Sequence, residues 1–150
     1  MTKIDDISRR ILRELQRDGR ISNTDLADRV GLSASACLRR VRELEASGVI
    51  KGYRAVLDAQ KMENGFLAMV SVGLNDHSTA SQEGFEKRMA RSPEVTECMN
   101  VTGSVEYILR VECADLAAYK QFHSETLGRL SQVHSITTHV VMAAPIDTRG

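Results

Sequence analysis

The feature that most constrains this chain is a pair of short helix signatures separated by a three-residue turn near the N-terminus. Ser22-Asn23-Thr24-Asp25 has the S-x-x-D shape of a capping box. Leu26, Ala27 and Val30 follow at helical spacing, and Gly31 stops the helix. Gly31-Leu32-Ser33 reads as a tight turn, and Ser33 can cap a third helix that runs to about Ser47 and ends at Gly48. Two helices joined this closely through a glycine have the spacing of a helix-turn-helix.

The flanks fit that frame. Ile4, Ile7, Ile11, Leu12 and Leu15 recur at helical spacing, with Asp5 and Asp6 in the first turn, where negative charge favours the positive end of the helix dipole. Gly19 closes this first helix. After Gly48, the run Val49 to Leu57 is expected to form a short β-hairpin, the wing of a winged helix-turn-helix. The polar stretch from Asp58 to Gly65 reads as a linker. The expected domains are therefore 1–58, a linker at 59–65, and 66–150.

The third helix points to nucleic acid. At roughly 100° per residue, Cys37, Leu38, Val41 and Leu44 fall on one arc, expected to face the core. Ser35, Ala36, Arg39, Arg40, Arg42 and Glu43 fall on the opposite arc. Small residues in a first turn allow close approach to bases, and arginine can bond a guanine edge or hold a phosphate. The candidate groove contacts are Ser35, Ala36 and Arg39, beside the capping Ser33, with Arg40 and Arg42 mainly on phosphates. Lys51 and Arg54 on the wing could touch the DNA backbone. Ser22, Asn23 and Thr24 could donate to phosphate at the start of the second helix. The chain's net charge of zero hides an asymmetry: through Asp58 there are 12 Lys+Arg against 9 Asp+Glu, and beyond it 8 against 11. A basic head and an acidic tail cancel, and local charge is what binds DNA.

The second half alternates strand and helix. Phe66 to Leu74 is a strand, Ser78 to Ser92 a helix stopped by Pro93, and Val95 to Val101 and Val105 to Cys113 are strands joined at Thr102-Gly103-Ser104. Asp115 to Leu130 is a helix and His134 to Ala144 a strand. The order βαββαβ is ferredoxin-like, so the whole chain is α+β. In such a fold both helices cover one face of the sheet. The first strand is nevertheless apolar on both sides, with Phe66, Ala68, Val70, Val72 and Leu74 alternating with Leu67 and Met69, and Met99, Val101, Ile108 and Val140 are expected to extend the uncovered surface. A bare apolar face of this kind marks an interface, here expected to pair two subunits sheet to sheet, the alternative being that the linker and the N-terminal domain cover it within one chain.

Other chemistries find little support. No apolar run approaches the roughly 20 residues of a membrane helix, and Met1 to Asp6 lacks the pattern of a secretory signal, which suggests a cytoplasmic protein without membrane contact. Cys37, Cys98 and Cys113 are dispersed, fitting reduced thiols and no zinc site. His77, His123, His134 and His139 form no i,i+4 pair, and the odd separation of His134 and His139 is expected to put them on opposite strand faces. There is no phosphate-binding glycine loop and no nucleophile elbow, so no catalytic residue or cofactor is assigned.

Taken together, the segments Ile11 to Asn23, Arg29 to Ser33, Cys37 to Glu45 and Gly48 to Tyr53 resemble the leucine-responsive/asparagine regulator (Lrp/AsnC) family of prokaryotic transcription factors, over essentially the whole chain. The resemblance implies a regulator of amino-acid metabolism genes that binds pseudo-palindromic double-stranded DNA. It implies dimerisation through the C-terminal domain and assembly into an octamer of four dimers or a similar ring. It also implies an amino-acid effector bound at the C-terminal domain, near Val101, Thr102, Gly103, Ser104, Glu106 and Tyr107, with Thr137, Thr138 and His139 lining the same pocket. Ser104 stands where the family usually carries an acid, and Glu106 lies two positions on. Two other readings share the architecture: a haem-biosynthesis (sirohaem-type) decarboxylase with a degenerate N-terminal domain, and a low-specificity nucleoid-organising protein. Arg39, Arg40 and Arg42 on one face favour DNA over a vestigial domain.

Overall fold

The computed structural model describes residues 4–58 and 61–146. Residues 1–3 of the expected first domain, 59–60 of the expected linker and 147–150 of the expected second domain lie outside them. The chain divides into two compact units, Met1–Ala55 and Val56–Gly150.

The first unit holds three helices, α1 (Asp6–Arg17), α2 (Asn23–Val30) and α3 (Ala34–Ala46). Side-chain caps set each start. Asp5 accepts from Ser8 N, Ser22 from Asp25 N and Ser33 from Ala36 N, satisfying amides that have no partner within their helices. Gly31 ends α2 in the left-handed region at φ 73°, where a residue with a Cβ would be strained. Ile11, Leu26, Ala27, Val30, Cys37 and Leu44 form the core, with Leu32, Val41 and Ile50 packed against it.

The expected wing is not a hairpin. Among the described residues no strand lies between α3 and Phe66. Gly48, also at φ 73°, turns the chain so that Ile50 N donates to Leu44 O at 3.0 Å and Ile50 reaches the core. From Lys51 to Asp58 every residue is exposed. A two-stranded ribbon with no apolar surface to lie on is marginal, so the β-branched run alone does not make one. Leu38 departs from expectation too: it is 38% exposed.

The second unit is a four-stranded antiparallel sheet, β1 (Phe66–Leu74), β2 (Val95–Asn100), β3 (Tyr107–Cys113) and β4 (Val133–Val140), in the order β2-β3-β1-β4. Helices α4 (Thr79–Met89) and α5 (Leu116–Phe122) connect the strands in the ferredoxin-like βαββαβ order. The α5 segment is shorter than its apolar pattern suggests. It continues as a π turn, His123–Leu127, in which Gly128 N donates to His123 O at 2.8 Å. A Cβ on Gly128 would sit 3.1 Å from Ser124 O, so the glycine accommodates this wider turn.

Both helices cover one face of the sheet. Ala68, Val70, Val72, Tyr107, Leu109 and Val111 are buried there against Phe85, Met89, Tyr119, Phe122 and Leu127. The opposite face, by strand alternation, carries Leu67, Met69, Ser71, Met99, Ile108, Arg110, Glu112, Thr137 and His139. It is less uniformly apolar than the sequence suggests. Val140 pairs with Ala68 and so belongs to the helix side, while Arg110, only 8% exposed, donates from Nε to Glu112 Oε1 at 2.8 Å in the middle of the open face. Thr96 Oγ1 donates to the same carboxylate oxygen at 3.2 Å.

Parity also fails in β4. The register shifts at Gly73/Leu74, where Gly73 pairs with Ser135 and Leu74 with Val133. A Cβ on Gly73 would collide with Ser135 Oγ and His134 Cε1, so both side chains rise on Gly73's side of the sheet, which is also the side of His139. The bulge therefore brings His134 and His139 to the same face, not to opposite ones.

Candidate nucleic-acid interface and effector region

The first unit is built to hold α3 firmly by one side. Asn23 Nδ2 donates to Ala34 O at 2.8 Å, tying the start of α2 to the start of α3. Ser22 is committed to its cap: it accepts from Asp25 N at 3.1 Å and donates to Asp25 Oδ2 at 2.7 Å. Of the three residues expected to meet phosphate at the start of α2, Thr24 is exposed, while Ser22 and Asn23 brace the turn.

Arg40 is a second brace. Its Nη1 donates to Asp5 Oδ2 at 2.7 Å and to Ser8 Oγ at 3.2 Å, joining the middle of α3 to the cap of α1. The Ser8 amide and hydroxyl, followed by the Arg40 guanidinium, hold the Asp5 carboxyl down at about 2. On the helical wheel Arg40 lies near the edge of the polar arc, among the arginines expected to meet phosphate. The structure turns its guanidinium inward to α1, and no local sequence signal announces a partner 35 residues away.

The outward face of α3 is the row Ser35, Leu38, Arg39, Arg42, Glu43 and Ala46, which lines a shallow hollow of about 370 Å³. Ser33 Oγ and Ser35 Oγ lie 3.3 Å apart at its N-terminal end. Ala36 is half-buried, its amide taken by the Ser33 cap at 3.3 Å. Arg39 Nη1 pairs with Glu43 Oε1 at 2.8 Å, but both side chains are well exposed, so the pair is weak and exchangeable. Arg42 makes no ion pair among the described residues. Lys51 and Arg54 are exposed. The surface can approach a polyanion closely at the small-residue end and offers guanidinium donors one turn further on.

The effector candidates are distributed over three places. Thr102, Gly103 and Ser104 form an exposed turn closed by Val101 N donating to Glu106 O at 2.9 Å, with Gly103 in the left-handed region at φ 132°. Glu106 points away from that turn. Its Oε2 accepts from Leu74 N at 2.6 Å and its Oε1 lies 3.3 Å from His77 Nδ1. Tyr107 and Thr138 are on the helix side. Tyr107 stacks on Phe85 at 4.6 Å and donates to Glu86 Oε1 at 2.7 Å; burial first, then the neighbouring Glu86, pushes its hydroxyl up to about 12. Thr138 shares a short hydrogen bond with Tyr119 Oη. Thr137 and His139 are on the open face. Within the chain these residues do not meet in one cavity. A hollow of about 500 Å³ between α4 and β2 takes in Tyr107, Glu86, Cys98 and Asn100, of which only Tyr107 was expected from sequence.

Comparison with known proteins fits this geometry. Residues 4–51 match the family model described as winged helix-turn-helix DNA-binding, and residues 67–150 the one described as Lrp/AsnC ligand binding domain. The chain is 42% identical over 139 residues to the leucine-responsive regulatory proteins of Klebsiella pneumoniae and Escherichia coli K12, covering 93% of this chain and 85% of each relative. Among solved structures, a transcriptional regulator from Neisseria meningitidis in complex with L-Met superposes with a TM-score of 0.91 at 31% identity, covering 95% of this chain and 92% of that one. An AsnC family transcriptional regulator from Agrobacterium tumefaciens does so with a TM-score of 0.91 at 33% identity, covering 97% and 95%. A feast or famine regulatory protein from M. tuberculosis, complexed with L-methionine, gives 0.87 at 30% identity over 98% and 97%. With a braced, outward-facing third helix in its first unit and a ferredoxin-like ligand-binding domain in its second, the chain belongs to the Lrp/AsnC family of transcriptional regulators.

Proposed function

We propose that this regulator binds specific double-stranded DNA sites through α3 and changes that binding when an amino acid occupies its second unit. The observation that carries the reading is the outward row Ser35, Leu38, Arg39, Arg42 and Ala46 on a helix fixed from behind by Asn23, Arg40 and the Cys37–Leu44 core face. Ser35 and Arg39 would meet base edges and Arg42 phosphate, with Thr24, Lys51 and Arg54 adding backbone contacts. Arg40 would act at one remove, by holding α3 on α1.

The open sheet face supports a homodimer. Leu67, Met69, Met99 and Ile108 flank the Arg110–Glu112 pair, a surface that would lose water and keep a satisfied charge pair on meeting its own copy. Two copies of α3 then read the two halves of a pseudo-palindrome. Further assembly into an octamer of four dimers would bring the exposed 102–104 turn, Thr137 and His139 against other subunits, and would form the effector pocket there, since one chain does not gather them. Two structural relatives carry L-methionine, which makes an aliphatic or thioether amino acid the first candidate and genes of amino-acid metabolism the expected targets. The reading is of a cytoplasmic DNA-binding switch without catalytic chemistry.

Selection of bound duplexes from a random pool, repeated with each amino acid present, tests this. One enriched motif with two half-sites, and an altered affinity or thermal stabilisation with at least one amino acid, is the expected result. Uniform recovery of all sequences would instead support a nucleoid-organising protein.

A further inference from the structure

Leu38 is the one large apolar side chain in the outward row of α3. Leu32, Val41 and Ile50 are partly buried against the core of this unit, whereas Leu38 stands 38% exposed. It lies one turn beyond Ser35 and one turn before Arg42, and it shares their hollow. At this place an arginine or lysine would add attraction for phosphate and a serine would add hydrogen bonding. A leucine adds neither and leaves apolar surface in water unless something apolar covers it.

In the major groove, thymine alone presents a methyl group, at C5, and an aliphatic side chain recognises it by excluding water from both. We propose that Leu38 is a specificity residue that packs on a thymine methyl in each half-site; this rests on the reading of α3 as the groove helix. The small Ser35 on its N-terminal side lets the helix come close enough for contact, and Arg39 and Arg42 fix its depth by holding the duplex on either side. The arginines then supply most of the affinity, whereas Leu38 supplies discrimination at one base pair.

The test uses the full-length protein and a duplex recovered by selection. Each thymine is replaced in turn by deoxyuridine, which removes the methyl and leaves pairing and hydrogen-bonding groups unchanged. Wild-type protein should lose about three- to fivefold in affinity at one thymine per half-site, the scale of burying one methyl group. Leu38→Ala, with an unchanged melting temperature and oligomer size, should bind thymine and deoxyuridine duplexes equally at that position. Equal methyl penalties in both proteins at every position, or no penalty anywhere, would overturn the proposal. A uniform loss by Leu38→Ala on all duplexes, with the methyl penalty retained, would assign Leu38 to packing within the protein and overturn it as well. Failure of wild-type protein to bind any duplex at low salt is a separate result, which removes the groove-helix reading itself.

Discussion

The outer face of α3 and the uncovered face of the sheet both present groups to solvent, but they are incomplete in different ways. The helix face is small, cationic at Arg39 and Arg42, and rigidly backed. All of its side chains come from one helix of a single chain. The sheet face is broad, mixes Leu67, Met69 and Ile108 with the pair of buried Arg110 and half-buried Glu112, and the side chains proposed for effector binding are parted between it, an exposed turn and the opposite face. The residues proposed to read DNA are thus gathered on one helix of a single chain, whereas those proposed to bind an effector are not gathered within it.

Breaking the sheet face should have the larger effect on DNA binding, although it lies outside the DNA-binding unit. Leu67→Glu would bury a second carboxylate directly across from Glu112 in the proposed dimer. Sedimentation should show dissociation to smaller species. Operator affinity should fall about 100-fold or more, because two linked half-site contacts become independent ones. Retention of the wild-type oligomer would place the subunit interface elsewhere.

Removing cations from the helix face should act without touching assembly. Arg39→Ala with Arg42→Ala should weaken operator binding by about 10- to 100-fold while sedimentation stays unchanged, since each strong base contact contributes about 1–3 kcal/mol. Equal loss on specific and random duplexes would move Arg39 to phosphate beside Arg42. Glu43→Gln sharpens the point: freeing Arg39 from its exposed pair should leave affinity the same or slightly higher.

The smallest effect should come from the brace behind α3. The folded Asp5 carboxyl titrates at about 2 against an ordinary value of 3.8. A depressed folded value means the contribution to stability is present above about 4 and is lost as pH falls through about 2. Asp5→Asn should lower the melting temperature of the first unit slightly at neutral pH and flatten its acid dependence in that window. An unchanged pH profile would show that the Ser8 and Arg40 contacts are not held in solution.

These differences track what was legible in the residue string. Helix ends were plain because Ser22, Gly31, Ser33 and Gly48 act on their immediate neighbours, and β1 was plain because its alternation is local. Three of the departures involve partners distant in sequence. Arg40 is turned by Asp5, Glu106 is claimed by Leu74, and His134 is moved to the side of His139 by a bulge against Gly73. Leu38 lies at the edge of its arc, where a wheel alone does not separate buried from exposed. Only the hairpin expected in the wing is missing, because β-branched residues favour a strand only where another strand or an apolar surface receives them.

The central claim is that the outward guanidinium groups of α3 touch DNA. Its most direct test is the salt dependence of operator binding, comparing wild type with Arg39→Ala/Arg42→Ala. The logarithmic slope of affinity against salt should become shallower by about 0.9 for each phosphate contact removed, and overall affinity should fall. Identical slopes and identical dissociation constants for the two proteins would contradict the account.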